Sequence, residues 1–421
     1  MLEAHAHVFQ LGRALTMVDL SGCATKVEML ERLGARASEK PESAILAHGA
    51  RPEGFLEPGW PSIDELERAC NGAAVWVWCF DHHALFASRA ALAAAGVDES
   101  TTNPRGGMFE RDADGRLTGV CKESAALRLW AAAPEPAEAD RAGVVRAALE
   151  SLATLGFTEV HDLKAQPWLP GVLRGLERDG ALACDVVCWP LVEDLAAMSF
   201  DRERWESDRV RLGGGKVFVD GTLNSRTAWM LAPYADGDPK HPAGMALMSA
   251  EDLDAALAVC AHANVPMAAH AIGDGAVRAV LDAIERADEG ALGATHRIEH
   301  AELVHESDVR RFVDLGVVAS VQPCHLLPDI EALQRAVPDR LDRVLPIREL
   351  IDAGCAPGRL DGPGVVFGSD VPIVRADPGD SITAAVERGR GDGSGVIGAG
   401  QAISEAEAWG CFGVSDPPRA R

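Results

Sequence analysis

The sequence predicts an α/β protein, a (β/α)8 TIM-like barrel, and three observations predict it. Short apolar runs, most rich in Val, Ile or Phe, recur along the chain and end in a polar or ionisable residue. Amphipathic helical patterns lie between many of them. The strand–helix alternation repeats about eight times, the sequence form of a closed barrel of parallel strands. Composition agrees, since 421 residues with 47% hydrophobic and 25% charged side chains can bury a sizeable core.

The strand candidates, in order, are LEAHAHV (2–8), GFTEVHD (156–162), ACDVVCW (183–189), VRLGGGKVFVD (210–220), VPMAAHA (265–271), HRIEHA (296–301), GVVASVQP (316–323) and GVVFGSD (364–370). Runs this apolar suit strands buried on both faces. Helical patterns stand at AEDLDAALAVCAHAN (250–264), DGAVRAVLDAIERADEG (274–290) and HESDVRRFVDLG (305–316), the last with Ser307 as its expected cap. The interval between the first two strands is too long for a simple crossover, so residues 35–150 read as a large insertion after strand one. Inside it, AVWVWCFDHHALFAS (74–88) reads as strand and then helix, and Asp114-Gly115 suits a hairpin turn. Such an insertion is expected over the barrel mouth, where substrate-contacting loops belong. Residues 1–390 then make the barrel with its insertion, and 391–421 a C-terminal loop and helix, with SEAEAWGCF (404–412) helix-like. RGRGDGSGVIGAG (388–400) reads as a flexible Gly-rich loop.

Charge and cysteine usage exclude several function classes. A formal net charge of −24 repels phosphate backbones and anionic headgroups, so neither nucleic acid nor a membrane surface is an expected partner. No run of about 18 apolar residues is present, and the N-terminus lacks the basic start and apolar block of a secretory signal. Ten scattered cysteines without a CxxC pair read as reduced, buried thiols of a cytoplasmic protein. GGGK lacks the Ser or Thr and the spacing of a phosphate loop.

The chemistry rests on six residues. His5 and His7 stand at i and i+2, so on a strand they share a face. Alone, an HxH pair is a weak signal. His270, His300 and Asp370 each stand at the end of a later strand run, and Lys216 lies inside GGGKVFVDG. An ionisable group in an apolar strand is costly unless paired or bound to metal. Six of them on the strands of one barrel point to one metal centre.

The order HxH, Lys, His, His, Asp on strands one, four, five, six and eight resembles the amidohydrolase superfamily. The words VDLSGC (18–23), KVFVDGTLNSRT (216–227), HAIGDGAV (270–277), HRIEHAELV (296–304), VASVQPCH (318–325) and FGSDVP (367–372) resemble its branch of YtcJ-like and N-substituted formamide deformylase-like metal-dependent hydrolases. The resemblance covers residues 1 to about 380.

It implies a binuclear centre of two divalent ions, zinc by donor type. His5, His7 and Asp370 would hold one ion, and His270 and His300 the other. Lys216 would bridge both as a carboxylated lysine, since an ammonium has no lone pair to offer. The implied reaction is hydrolysis of a non-peptide, amide-type C–N bond by a metal-activated hydroxide, with Asp370 carrying the proton. Lactone or ester hydrolysis or deamination on the same centre, and a truncated non-catalytic barrel, stay open. The substrate is a small molecule, and a homodimer is compatible with the reading.

The matching words offer His83, His325, Glu123 and Arg226 as substrate-binding residues; Glu123 and Arg226 could instead brace a loop, the favoured reading for Arg226, and His83 could be a plain loop histidine. His161 is a candidate supporting residue, and Asp220 either supports the site or caps a loop. Trp76, Trp78, Phe80 and Phe86 either line a pocket or form the insertion's own core. The family's flanking β-sandwich is expected to be missing or truncated.

Overall fold

Val-, Ala- and Ile-rich segments with no room for polar side chains on either face must pair their backbone groups with neighbouring strands. The computed structural model, which describes residues 1–41, 43–80, 84–104, 106–288 and 294–415, shows that pairing. The chain divides into two compact units, Met1–Phe9 with Val145–Arg421, and Gln10–Val144.

The first unit opens with β1 (Leu2–Ala6), buried along its whole length. The second unit carries β2 (Val18–Asp19), β3 (Ile45–Ala50), β4 (Val75–Cys79), β5 (Ala84–Ala87), β6 (Gly107–Arg111) and β7 (Leu117–Glu123) in one sheet, ordered β2-β3-β4-β5-β7-β6. The first unit then resumes with β8 (Glu159–Asp162), β9 (Asp185–Cys188), β10 (Val210–Leu212), β11 (Gly215–Phe218), β12 (Met267–Ala271), β13 (Arg297–His300), β14 (Val318–Val321), β15 (Ala356–Pro357) and β16 (Gly364–Phe367). These build two parallel sheets, ordered β1-β8-β9-β10 and β11-β12-β13-β14-β16-β15. Each of the eight apolar runs contains a strand. Single parallel bridges pair Leu191, just past β9, with Lys216 of β11, and Ala6 of β1 with Val371, just past β16.

The long helical patterns appear as Ala250–His262, Asp274–Asp288 and Glu306–Asp314. The last is capped by His305, not Ser307. His305 has extended backbone, and its Nδ1 accepts from the Ser307 N–H at 3.2 Å, which puts Ser307 inside the first turn. The Gly213–Gly215 run is a packing device, because a Cβ on Gly213 or Gly214 would lie 2.4 Å from the Trp189 ring.

In the second unit, residues 84–87 form a strand where a helix was expected. β5 pairs antiparallel with β4 and β7, and its neighbours in sequence enter opposite layers. Phe86 packs with Val75 and Val77, whereas Leu85 packs with Trp76 and Trp78. A strand buried on both faces has no alternation to reveal it. Trp76 and Trp78 are therefore core, and the Trp76 indole N–H donates to the Leu129 carbonyl at 3.0 Å. The expected hairpin forms between β6 and β7, with Gly115 at φ 80°.

The Gly-rich segment after residue 388 is pinned. The buried Arg388 guanidinium donates to the carbonyls of Val344, Leu345 and Ile397. All ten cysteines are buried and free. Among the described residues, no helix is long and apolar enough to cross a membrane.

Candidate metal centre

Parallel strands deliver their C-terminal ends to one side, which is where residues leaving an apolar strand can meet. His5 lies in β1, and His7 follows its end. His270 is the penultimate residue of β12, His300 closes β13, and Asp370 follows β16. One side-chain donor atom from each of His5, His300 and Asp370 falls within 4.8 Å of the others. His7 Nε2 lies 2.9 Å, and His5 Nε2 3.4 Å, from Asp370 Oδ1. The His300 ring centroid is 4.9 Å from that of His5 and 4.4 Å from that of His270. Backbone pairing sets this approach, with the Asp370 N–H donating to the His5 carbonyl and the His7 N–H to that of Val371.

Two of these residues are held against local preference. His300 has φ 73° and Asp370 φ 61°. Left-handed backbone costs a side chain other than glycine roughly 1–2 kcal/mol, so the surrounding fold must impose it. Gly368 allows the β16 exit to lie against β1. A Cβ there would come 2.5 Å from the His5 nitrogen and 2.9 Å from Glu3 Oε1.

Electrostatics prepare the set for a cation. Burial lowers the pKa of His5 to about 4 and that of His270 to about 3, and holds His300 well below the usual imidazole range. All three are neutral near pH 7, the form that binds a metal. Burial alone would raise Asp370, but His5, His7 and His300 together hold it well below the usual carboxylate range. Burial pushes Lys216 down to about 8, against the opposing pull of Glu299 and Asp370. Lys216 is 1% exposed, and its Nζ has no hydrogen-bond partner among the described residues. A buried amine left unsatisfied beside ionised carboxylates is the signature of a site built for another group. The donor set fits divalent metal ions.

A buried network holds the first strand's histidine. His5 Nδ1 donates to Glu299 Oε2 at 2.8 Å, leaving Nε2 toward Asp370. Arg297 Nε donates to Glu299 Oε1 at 2.9 Å. The same guanidinium donates to His161 Nδ1, the Ala4 carbonyl and Ser320 Oγ. His161 in turn donates from Nε2 to Glu159 at 3.1 Å. Glu3 accepts from the Ser369 N–H and Oγ and from the His5 N–H, joining the two strand ends. Imidazole ligands are commonly oriented in this way through their second nitrogen. Sequence reading missed Glu3, Arg297 and Glu299. Their signal was spacing, since Glu3 precedes His5 by two and Arg297, Glu299 alternate on β13, each pair sharing a face.

The other candidates fall in different places. His325 closes a 3-10 turn, its Nε2 3.2 Å from the Ser369 carbonyl and 4.0 Å from Asp370 Oδ2. Asp220 accepts from the N–H groups of Trp229, Ile272 and Gly273 and lies 3.7 Å from His270 Nε2, so it both shapes the loop and adjoins the centre. Arg226 forks onto both oxygens of Asp236 and donates to the Leu223 and Asn224 carbonyls, which makes it a brace for its own loop. Glu123 sits at the exposed end of β7 in the second unit, with φ 54°. His83 lies outside the described residues.

Over residues 1–409 the chain matches the model of the Amidohydrolase family. It is 27% identical over 395 residues to YtcJ of Bacillus subtilis (strain 168), which carries an amidohydrolase name, covering 92% of this chain and 72% of that one. It is 25% identical over 408 residues to the N-substituted formamide deformylase of Arthrobacter pascens, with 92% and 72% covered. A crystal structure of an uncharacterized metal-dependent hydrolase from Pyrococcus horikoshii OT3 is similar at a TM-score of 0.78 and 28% identity, over 98% of this chain and 80% of that one.

Proposed function

Since the chain belongs to the amidohydrolase family and is a metal-dependent hydrolase, we propose that it cleaves a non-peptide, amide-type C–N bond. The centre in this reading takes two divalent ions, zinc by donor type, on His5, His7, Lys216, His270, His300 and Asp370. The observation that carries it is Lys216, a fully buried amine with no hydrogen-bond partner among the described residues, whose burial is opposed by the charges of Glu299 and Asp370. Carboxylation of its Nζ would replace an unsatisfied cation with two anionic oxygens, which suits a bridge between cations. The lowered Lys216 pKa favours the neutral amine that such a reaction needs.

The scaffold reading is a closed eight-stranded barrel of β1, β8, β9, the 210–218 stretch that carries both β10 and β11, then β12, β13, β14 and β16. The bridges Ala6–Val371 and Leu191–Lys216 support closure. Gln10–Val144 is then a sequence insertion after the first strand.

Divalent ions, when bound, bring a water's pKa near neutrality and polarise a carbonyl. Asp370 stays ionised, so its carboxylate can take the proton of the attacking water and hand it to the leaving nitrogen. Without that proton, nitrogen would leave as an amide anion. His325 lies close enough to Asp370 Oδ2 to meet the substrate's developing charge or to steady the carboxylate. Glu299 and Arg297 keep His5 in one tautomer and one orientation.

The reading is tested by incubating zinc-loaded protein with N-formyl amines, N-acyl amines, cyclic amides and lactones, and measuring released amine and acid. Turnover of an amide above that of lactones is expected. Turnover of lactones alone would overturn the C–N assignment.

A further inference from the structure

Lys164 is a cation that the catalytic reading does not use. It follows the end of β8 by two residues and is exposed. Its Nζ lies 5.9 Å from the centre of the Phe218 ring. The same ring is 5.1 Å from Lys216 Nζ and 5.0 Å from the His270 ring centroid. Lys164, Lys216 and His270 thus all lie within about 6 Å of one ring, which puts the Lys164 ammonium near the candidate centre.

Its lack of a counter-charge among the described residues sets Lys164 apart from the arginines named above. Arg297 is paired with Glu299, and Arg226 with Asp236. Lys164 Nζ has no carboxylate within 4.0 Å among the described residues, in a chain of net charge −24. An ammonium on a four-carbon stem, seated against an aromatic ring, can reach a carboxylate without disturbing packing.

We propose that Lys164 docks an anionic group of the substrate, so that the amides this enzyme takes carry a carboxylate a few bonds from the scissile C–N bond. This rests on the amide reading given above. Water adds across the C–N bond: the acyl carbon keeps the hydroxyl oxygen, the nitrogen takes a proton, and the docked carboxylate is unchanged. It belongs either to the amine side, as in an N-acyl amino acid, or to the acyl side, as in a dicarboxylic acid monoamide.

The test compares matched substrates on the zinc-loaded enzyme. N-acyl amino acids are set against N-acyl amino alcohols, and dicarboxylic acid monoamides against neutral fatty-acid amides. The anionic member of at least one pair should be preferred by about tenfold or more in kcat/KM, mainly through KM, as expected for a hydrogen bond to a charged group. Lys164→Gln should erase that preference and Lys164→Glu invert it, with zinc content unchanged. Equal use of both members, or a preference that survives Lys164→Gln, overturns the assignment. If no amide is hydrolysed, the C–N reading fails and the same compounds are titrated calorimetrically into zinc-loaded wild type and Lys164→Gln. Tighter binding of the anion that is lost in the variant supports the docking role. Equal binding, or none, refutes it.

Discussion

Glu299→Gln tests the buried network that orients the centre. Glu299 is fully buried, accepts from His5 Nδ1 at 2.8 Å and from Arg297 Nε at 2.9 Å, and is held ionised by both partners despite burial. Glutamine keeps the shape but loses the charge and offers an N–H₂ to one of two donors. The Arg297 guanidinium, 2% exposed, is then left without its carboxylate. Breaking one side of a buried pair costs about 3–5 kcal/mol. Loss of a carboxylate behind a ligating imidazole lowers metal affinity about 10- to 100-fold. Urea denaturation should show the stability loss, and competition with a chromophoric chelator the loss of affinity. Arg297→Met combined with Glu299→Gln should be less destabilising than the sum of the single changes, because no unpaired charge remains. A Glu299→Gln variant with unchanged stability and zinc affinity would refute the reasoning.

Gly368→Ala should weaken zinc binding and cost about 1–3 kcal/mol by chelator competition and urea denaturation, because its Cβ would overlap His5 and Glu3. Asp370→Asn should keep much of the metal yet lose roughly 10²- to 10⁴-fold in kcat on an amide, the value of a positioned proton carrier; near-full activity would remove Asp370 from that role. Arg226→Ala should lower the melting temperature and leave zinc content intact, since the guanidinium serves Asp236 and loop carbonyls.

Much of the frame was legible because buried parallel strands write themselves as uninterrupted apolar runs. Where such runs end in His, Lys or Asp, solvation cost alone marks the residue, and the six expected ligands all lie in or just beyond those strands. Arg297 and Glu299 were hidden because each is unreasonable alone inside a strand and becomes reasonable only with the other and with His5 beside it. Residues 84–87 were misread because Leu85 and Phe86 are both buried, on opposite faces, which hides the two-residue period. The cap at His305 was missed because an imidazole can do what a serine hydroxyl usually does. Arg226 illustrates the remaining limit: a conspicuous motif residue whose donors the loop itself consumes, which only the positions of Asp236 and Leu223 reveal.

The central claim is that a buried Lys216, four histidines and Asp370 together hold two ions. Elemental analysis of purified protein, reconstituted with zinc and bicarbonate, tests it most directly. The account predicts about two zinc ions per chain, slower loading without bicarbonate, and a sharp fall in Lys216→Ala that short carboxylic acids partly restore. Wild-type protein without zinc above background after reconstitution, or Lys216→Ala binding as much as wild type, would contradict it.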